Sequence, residues 1–205
     1  MKAYVLHNVN DLRYEDVPMP NCPGGWVVVQ VKASGICSSD IDRVFSKGTY
    51  HFPTIPGHEF SGVVHKVSST DDEYLLGKRV GVFPLIPCKK CSQCKNKHYE
   101  MCSNYDYLGS RRDGGFAEYV AVPVWNLIEI PDTISFEEAA MLEPLSVGLH
   151  AIKLSNIQEQ DTVAIIGTGM IGITAAQWAQ KFTGNNVVVL GRSERTISGA
   201  GWNIL

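Results

Sequence analysis

Four of the chain's six cysteines, Cys88, Cys91, Cys94 and Cys102, fall within fifteen residues at the spacing C-x2-C-x2-C-x7-C. Two-residue gaps let the backbone curl so that successive sulfurs point at one centre. Four thiolates then complete a tetrahedral shell closed to water, the pattern of a structural zinc site. A disulfide framework is one alternative, but cysteines this close rarely reach bridging geometry, and Met1–Asn10 lacks the charged start and long apolar centre of a secretory leader. An iron–sulfur cluster is the other. The bacterial ferredoxin run places its fourth cysteine three residues on and follows it with proline, whereas Ser103 follows Cys102 here. The segment is read as a loop wrapped around zinc, and thiolates kept as metal ligands fit a reducing compartment, so the expected location is cytoplasmic.

The chain has 205 residues, 44% hydrophobic and 19% charged, which suits a globular protein with one good core and room for part of a second domain. Its net charge of −3 and scattered basic residues argue against a nucleic-acid surface. A small basic cluster, Lys89 to Lys97, decorates the cysteine loop and reads as a solvated face. No apolar run approaches membrane-spanning length, so neither nucleic acid nor membrane is an expected partner.

Short strands are expected at Lys2–Leu6, Trp26–Lys32, Gly62–Val67, Arg79–Phe83, Phe116–Val122 and Asn126–Ile130, with glycine, proline or aspartate between them. Such a series predicts a compact, barrel-like all-β domain. The character changes after Pro131. Ser135 and Glu138 form a capping box ahead of a helix to Met141, and Val147–Leu154 continues helical. An apolar run, Thr162–Ile166, then enters Gly167-Thr168-Gly169-Met170-Ile171-Gly172, followed by a helix to Phe182 and a second apolar run, Val187–Leu190. Strand, glycine turn, helix, strand is the opening of a dinucleotide-binding domain.

Taken with Gly57-His58-Glu59-Phe60-Ser61-Gly62, the cysteine loop and the glycine turn resemble the zinc-dependent medium-chain alcohol and polyol dehydrogenases, from Met1 to about Arg195. The resemblance implies a GroES-like β-barrel catalytic domain over 1–154, then the incomplete start of an α/β Rossmann domain over 155–205. It also implies that the family chain is longer, that this one is truncated, and that a homo-oligomer would form if the missing domain were present. In that family the four-cysteine lobe braces the fold and takes no part in the chemistry.

A lone cysteine or histidine is more often plain core or surface. The resemblance makes Cys37, His58 and Glu59 ligands of a second, catalytic zinc, with Glu143 a further acidic ligand that binds directly or through a water. Three protein ligands leave a position for water or substrate. Asp40 is either the partner of the free ring nitrogen of His58 or a cap for the turn after Cys37. Ser39 matches the family's relay hydroxyl, passing the alcohol's proton outward as hydride goes to nicotinamide. Many relatives continue the relay with a histidine where this chain has Asp42.

Gly167, Thr168, Gly169, Met170, Ile171 and Gly172 are the expected pyrophosphate turn. About twenty residues on, where an NAD enzyme places a carboxylate, stand Gly191, Arg192, Ser193 and Arg195, which favours NADP over NAD. The run Tyr107–Tyr119 is similar to the corresponding run in galactitol-1-phosphate 5-dehydrogenases, a branch of the family. Its Arg111 and Arg112 either hold a sugar phosphate or make surface ion pairs. A small-molecule polyol or polyol phosphate is the expected substrate, with two zinc ions per chain. The competing reading is an inactive, zinc-stabilised fragment that serves as a binding or interaction module.

Overall fold

Lys2–Asn8 (β1) and Asp11–Asp16 (β2) form an antiparallel hairpin, turning where Asn10 takes the left-handed conformation that asparagine tolerates. The second strand of this hairpin is not marked in the sequence, because its mostly exposed residues give no apolar alternation. The computed structural model describes residues 1–184 and 186–191.

Trp26–Gly35 (β3) is the centre of the first unit. Val27, Val28 and Val29 are all buried, since the strand is paired along both edges and covered on both faces. Ser38–Asp42 (α1), a short helix absent from the sequence expectations, follows it and leads into a π turn over Arg43–Lys47. Next come Glu59–Val67 (β4), Arg79–Val82 (β5), Leu85–Ile86 (β6), the helical turn Ser92–Lys95 (α2), Asp106–Tyr107 (β7), Tyr119–Pro123 (β8) and Leu127–Glu129 (β9). The main sheet has the order β8-β3-β4-β5-β9, antiparallel throughout. Val27, Val29, Phe60, Val64, Val80, Val82, Leu108, Val120 and Val122 make its core. The expected strand from Phe116 begins only at Tyr119, and Ala117 meets Ala3 in an isolated bridge to the first hairpin instead.

The capping box forms as read. Ser135 Oγ accepts from the Glu138 N–H at 3.1 Å, and Glu138 accepts from the Ser135 N–H at 2.7 Å, starting Phe136–Ala140 (α3). Leu142–Ser155 (α4) follows directly. The chain divides into compact units between Leu142 and Glu143, twelve residues before the expected division at 154. The reason is packing. Gly148 lets α4 approach Met170–Thr183 (α5), where an added Cβ would lie 2.6 Å from Thr174 Oγ1. Ile152 joins Ala175, Ala176 and Ala179 in the second core, with Val187 and Val189. Val163–Ile166 (β10) and Val187–Leu190 (β11) pair in parallel beside α5.

Phe60 is 1% exposed and sits in the main core beside the strand start that carries Glu59. Phe60→Ala should cost about 3–5 kcal/mol by the loss of buried surface and the cavity left behind. Urea denaturation followed by tryptophan fluorescence checks this, and a loss below about 1 kcal/mol would contradict the packing described.

Candidate functional site

The cysteine loop is the connection between β6 and β7, whose pairs Leu85↔Tyr107 and Ile86↔Asp106 close its neck. All six cysteines are free, and the sulfurs of Cys88, Cys91, Cys94 and Cys102 lie within 4.8 Å of one another. Cys88 and Cys94 sulfurs are 4.0 Å apart, far outside bonding distance and close to the roughly 3.8 Å expected around a zinc–thiolate tetrahedron. Backbone N–H groups of Cys94 and Ser103 hold the Cys91 thiol down to about 5, and those of Lys90 and Cys91 lower that of Cys88. Burial, then hydrogen bonds with Cys102 and Cys91, pushes Cys94 up to about 12. Two thiolates are thus favoured by the backbone, while full ionisation of the group calls for a cation.

The second donor set depends on strand pairing. β3 and β4 are in register at Gly35↔Glu59, so Cys37, just past the end of one strand, comes beside His58, just before the start of the other. One donor atom from each of Cys37, His58 and Glu59 lies within 4.8 Å of the others. His58 and Glu59 are buried and Cys37 is half-buried. A thiol, an imidazole and a carboxylate at this spacing suit zinc after a small contraction, since tetrahedral ligands stand about 3.5 Å apart. Gly35 makes the approach possible: an added Cβ would lie 2.4 Å from Glu59 Oε2.

Asp40 takes one of the two roles that the sequence left open and stands near the other without a hydrogen bond. Its Oδ2 accepts the Cys37 N–H at 3.0 Å, fixing the turn into α1, and its Oδ1 lies 3.3 Å from His58 Nδ1. That second approach is of ion-pair length but off the line of a hydrogen bond. Arg43 Nη1 donates to both Asp40 Oδ1, at 3.0 Å, and Ser39 Oγ, at 2.9 Å, a bracing role that the sequence did not suggest. Asp42, the departure from the family relay, is ion-paired to Lys47. The ring of Tyr107 stands edge-on to His58 at 5.8 Å, linking the neck of the cysteine loop to this centre.

In the second unit, β10 ends at Ile166, Gly167 follows with φ 118°, and α5 starts from Gly169 with no side chain capping it. A Cβ on Gly172 would lie 2.0 Å from the Gly167 carbonyl oxygen. Glycine at both places gives a tight turn that leaves the first N–H groups of α5 open, with Thr168 half-buried and Met170 and Ile171 exposed around them. β11 ends at Leu190 and Gly191 follows, without a carboxylate. Arg192 and Arg195 lie outside the described residues. Glu143 opens this second unit, on α4. Arg112, in the first unit, is ion-paired to Asp106 and lies over the Trp26 ring, whereas Arg111 stacks between Tyr50 and Tyr105 at 4.0 and 4.5 Å.

The family model for the alcohol dehydrogenase GroES-like domain matches residues 23–132. The chain belongs to that family. It is 40% identical over 172 residues to galactitol 1-phosphate 5-dehydrogenase of Escherichia coli strain K12, a stretch that covers 84% of this chain and 50% of the relative. It also matches the crystal structure of the Escherichia coli CFT073 alcohol dehydrogenase RspB complexed with NADH, with a TM-score of 0.92 and 32% identity over 100% of this chain and 62% of that one. A protein of Sinorhizobium meliloti 1021, described as a zinc-binding dehydrogenase and bound to NADP, matches with a TM-score of 0.92 and 34% identity over 99% and 60%. The chain spans about half the length of the curated relatives it matches. Its fold is accordingly a GroES-like β domain followed by the opening strand-helix-strand of an α/β unit, and no helix among the described residues is long and apolar enough to cross a membrane.

Two outcomes follow from this geometry. Gly35→Ala should displace the Glu59 carboxylate and weaken metal binding at Cys37–His58–Glu59 by about ten- to a hundredfold, leaving the four-cysteine ion in place, as read by chelator competition. In metal-stripped protein the Cys91 thiol is ionised above about pH 5 and Cys94 stays protonated to about 12. Iodoacetamide at pH 7 should therefore label Cys91 well ahead of Cys94, and equal labelling in a peptide map would contradict the hydrogen bonding described.

Proposed function

We propose that this chain carries the metal centre and the start of the nucleotide site of a zinc-dependent oxidoreductase, which moves hydride between a sugar alcohol or sugar-alcohol phosphate and NADP or NAD. The observation that carries this reading is the convergence of Cys37, His58 and Glu59 from two strand ends onto one point. The relatives' names support an alcohol or polyol substrate, and galactitol 1-phosphate is the first to test.

Cys37, His58 and Glu59 would hold the ion. One thiolate and one carboxylate offset its charge while keeping it electrophilic. When bound, zinc makes an alcohol hydroxyl acidic enough to lose its proton near neutral pH. Asp40 Oδ1, 3.3 Å from His58 Nδ1, puts a negative charge beside the imidazole without hydrogen-bonding it. Ser39 Oγ accepts from Arg43, so its own hydrogen stays free to be donated outward while its second lone pair can receive a proton. Asp42, engaged by Lys47, takes the place of the outer relay histidine. Ser39 and Asp42 both border a cavity of about 340 Å³.

Cys88, Cys91, Cys94 and Cys102 would hold the second zinc and fix the lobe. The turn Gly167–Gly172 would take the pyrophosphate on the N-terminus of α5, and the nicotinamide, when bound, accepts the hydride. Gly191 in place of a carboxylate favours NADP. A binding module stabilised by zinc is the second reading, favoured by the presence of only two parallel strands among the described residues.

Metal analysis with nucleotide titration separates the two. Two zinc ions per chain are expected, one lost in Cys91→Ser and the other in Cys37→Ser. NADPH or NADH fluorescence should respond to binding, and Cys37→Ser should lower galactitol 1-phosphate oxidation by at least ~100-fold. Two zinc ions with no response to either nucleotide would favour the binding module.

A further inference from the structure

The neck of the cysteine loop borders a second cavity, of about 570 Å³, lined by Tyr50, Lys90, Asn104, Tyr105, Arg111 and Arg112 among others. Its cations differ in what engages them. Arg112 is ion-paired to Asp106. Arg111, among the described residues, has no carboxylate within ion-pair distance, and its buried Nε has no hydrogen-bond partner. Its guanidinium is clamped between the rings of Tyr50 and Tyr105, which fixes its plane without neutralising it. The Tyr50 phenol is held below its ordinary value, chiefly by Tyr105 and then by Arg111. Lys90 lines the same cavity from the cysteine loop, and no carboxylate among the described residues pairs with it.

We propose that this cavity is an anion subsite for a phosphate monoester, with Arg111 as the residue that recognises the phosphate, Lys90 as a second cation, and Tyr50 and Tyr105 as hydroxyl donors. Two cations in excess over carboxylates, one of them a flat fork of N–H donors, match a phosphate that carries close to two negative charges better than a singly charged carboxylate. Arg112 is a positioning residue, holding Asp106 at the neck. The inference rests on the dehydrogenase reading of the Cys37 centre, and two contacts connect the sites. Tyr50 borders both this cavity and the one at Ser39, and Tyr107 of β7 stands against His58. A polyol lying past Tyr50 would present a hydroxyl at Ser39 and its phosphate at Arg111. The cysteine loop would then be a wall of the substrate site as well as a brace, because Cys88 and Lys90 both line the cavity and Lys90 lies in the chain between the candidate ligands Cys88 and Cys91.

Phosphorus NMR titration of the zinc-loaded chain with galactitol 1-phosphate and with inorganic phosphate tests this, with calorimetry for unphosphorylated galactitol. The ester should bind tightest and galactitol at least tenfold more weakly. Arg111→Gln should weaken ester binding at least tenfold, with Arg111→Lys recovering part of the loss. Lys90→Gln, at an exposed residue, should weaken it severalfold. Ester affinity unchanged in Arg111→Gln, or equal affinity for ester and galactitol, overturns the proposal. If Arg111→Gln does not retain zinc, Lys90→Gln decides, and unchanged affinity there overturns it too. Zinc at Cys37 and galactitol oxidation without ester preference would sink the subsite alone. Ester binding that depends on Arg111, without zinc at Cys37, would sink the dehydrogenase reading and leave the subsite standing.

Discussion

The pairing of β3 with β4 is the constraint on which the candidate chemistry depends. Its register sets Gly35 opposite Glu59 and so makes neighbours of Cys37 and His58 across a loop of more than twenty residues. A slip of one residue would turn Glu59 to the other face of the sheet and Phe60 out of the core. The register is therefore guarded by burial. Phe60 on one face is among the largest fully buried side chains, and the valines of β3 are covered on both sides. The apolar core and the polar donor set are two faces of one strand pair, and a change that loosens the first displaces the second.

What the sequence made legible was chemistry at short range. The spacing of Cys88, Cys91, Cys94 and Cys102 dictates convergence because neighbouring sulfurs are joined by a few rotatable bonds. Ser135 with Glu138, and Gly167 through Gly172, are local in the same sense: a cap and a tight turn are decided within one helical turn. Strand existence was also readable, within one to three residues at most ends. The convergence of Cys37 with His58 was another matter, since twenty residues of intervening chain leave their meeting to sheet register. That reading came from likeness to a family, and geometry alone would not have supplied it. The same limit hid the clamp on Arg111, built from Tyr50 and Tyr105, residues brought together only by the fold.

Short elements escaped for a different reason. β2 faces solvent along most of its length and carries the mixed polarity of a loop. α1 is five residues long, too short for apolar periodicity, and its start is set by Asp40 accepting the Cys37 N–H. The sequence offered two roles for Asp40 as alternatives. Oδ2 takes the backbone role, while Oδ1 accepts from Arg43 and stands 3.3 Å from the His58 ring without a hydrogen bond, so the turn that positions Cys37 and the imidazole beside it face one carboxylate. The division of the chain at Leu142 similarly depends on an interior contact, the approach of Gly148 to α5, which leaves no mark beyond a single glycine.

The lysines of the cysteine loop read from sequence as a solvated face, and their placement gives them more to do. Four thiolates around a doubly charged ion leave an excess of two negative charges, which would destabilise a small exposed lobe unless offset. Lys89 Nζ lies 4.8 Å from the ring centre of Trp125, which also packs edge-on against Phe83 and Tyr99. One lysine thus pins the lobe to the β domain by its ring contact, and the neighbouring Lys90 is turned to the cavity shared with Arg111. The charges that balance the thiolates also set the potential of that cavity. Emptying the four-cysteine site would therefore disturb an anion held at Arg111 by moving Lys90 as well as by loosening the lobe, with the donor atoms of Cys37, His58 and Glu59 left where the strand pair puts them.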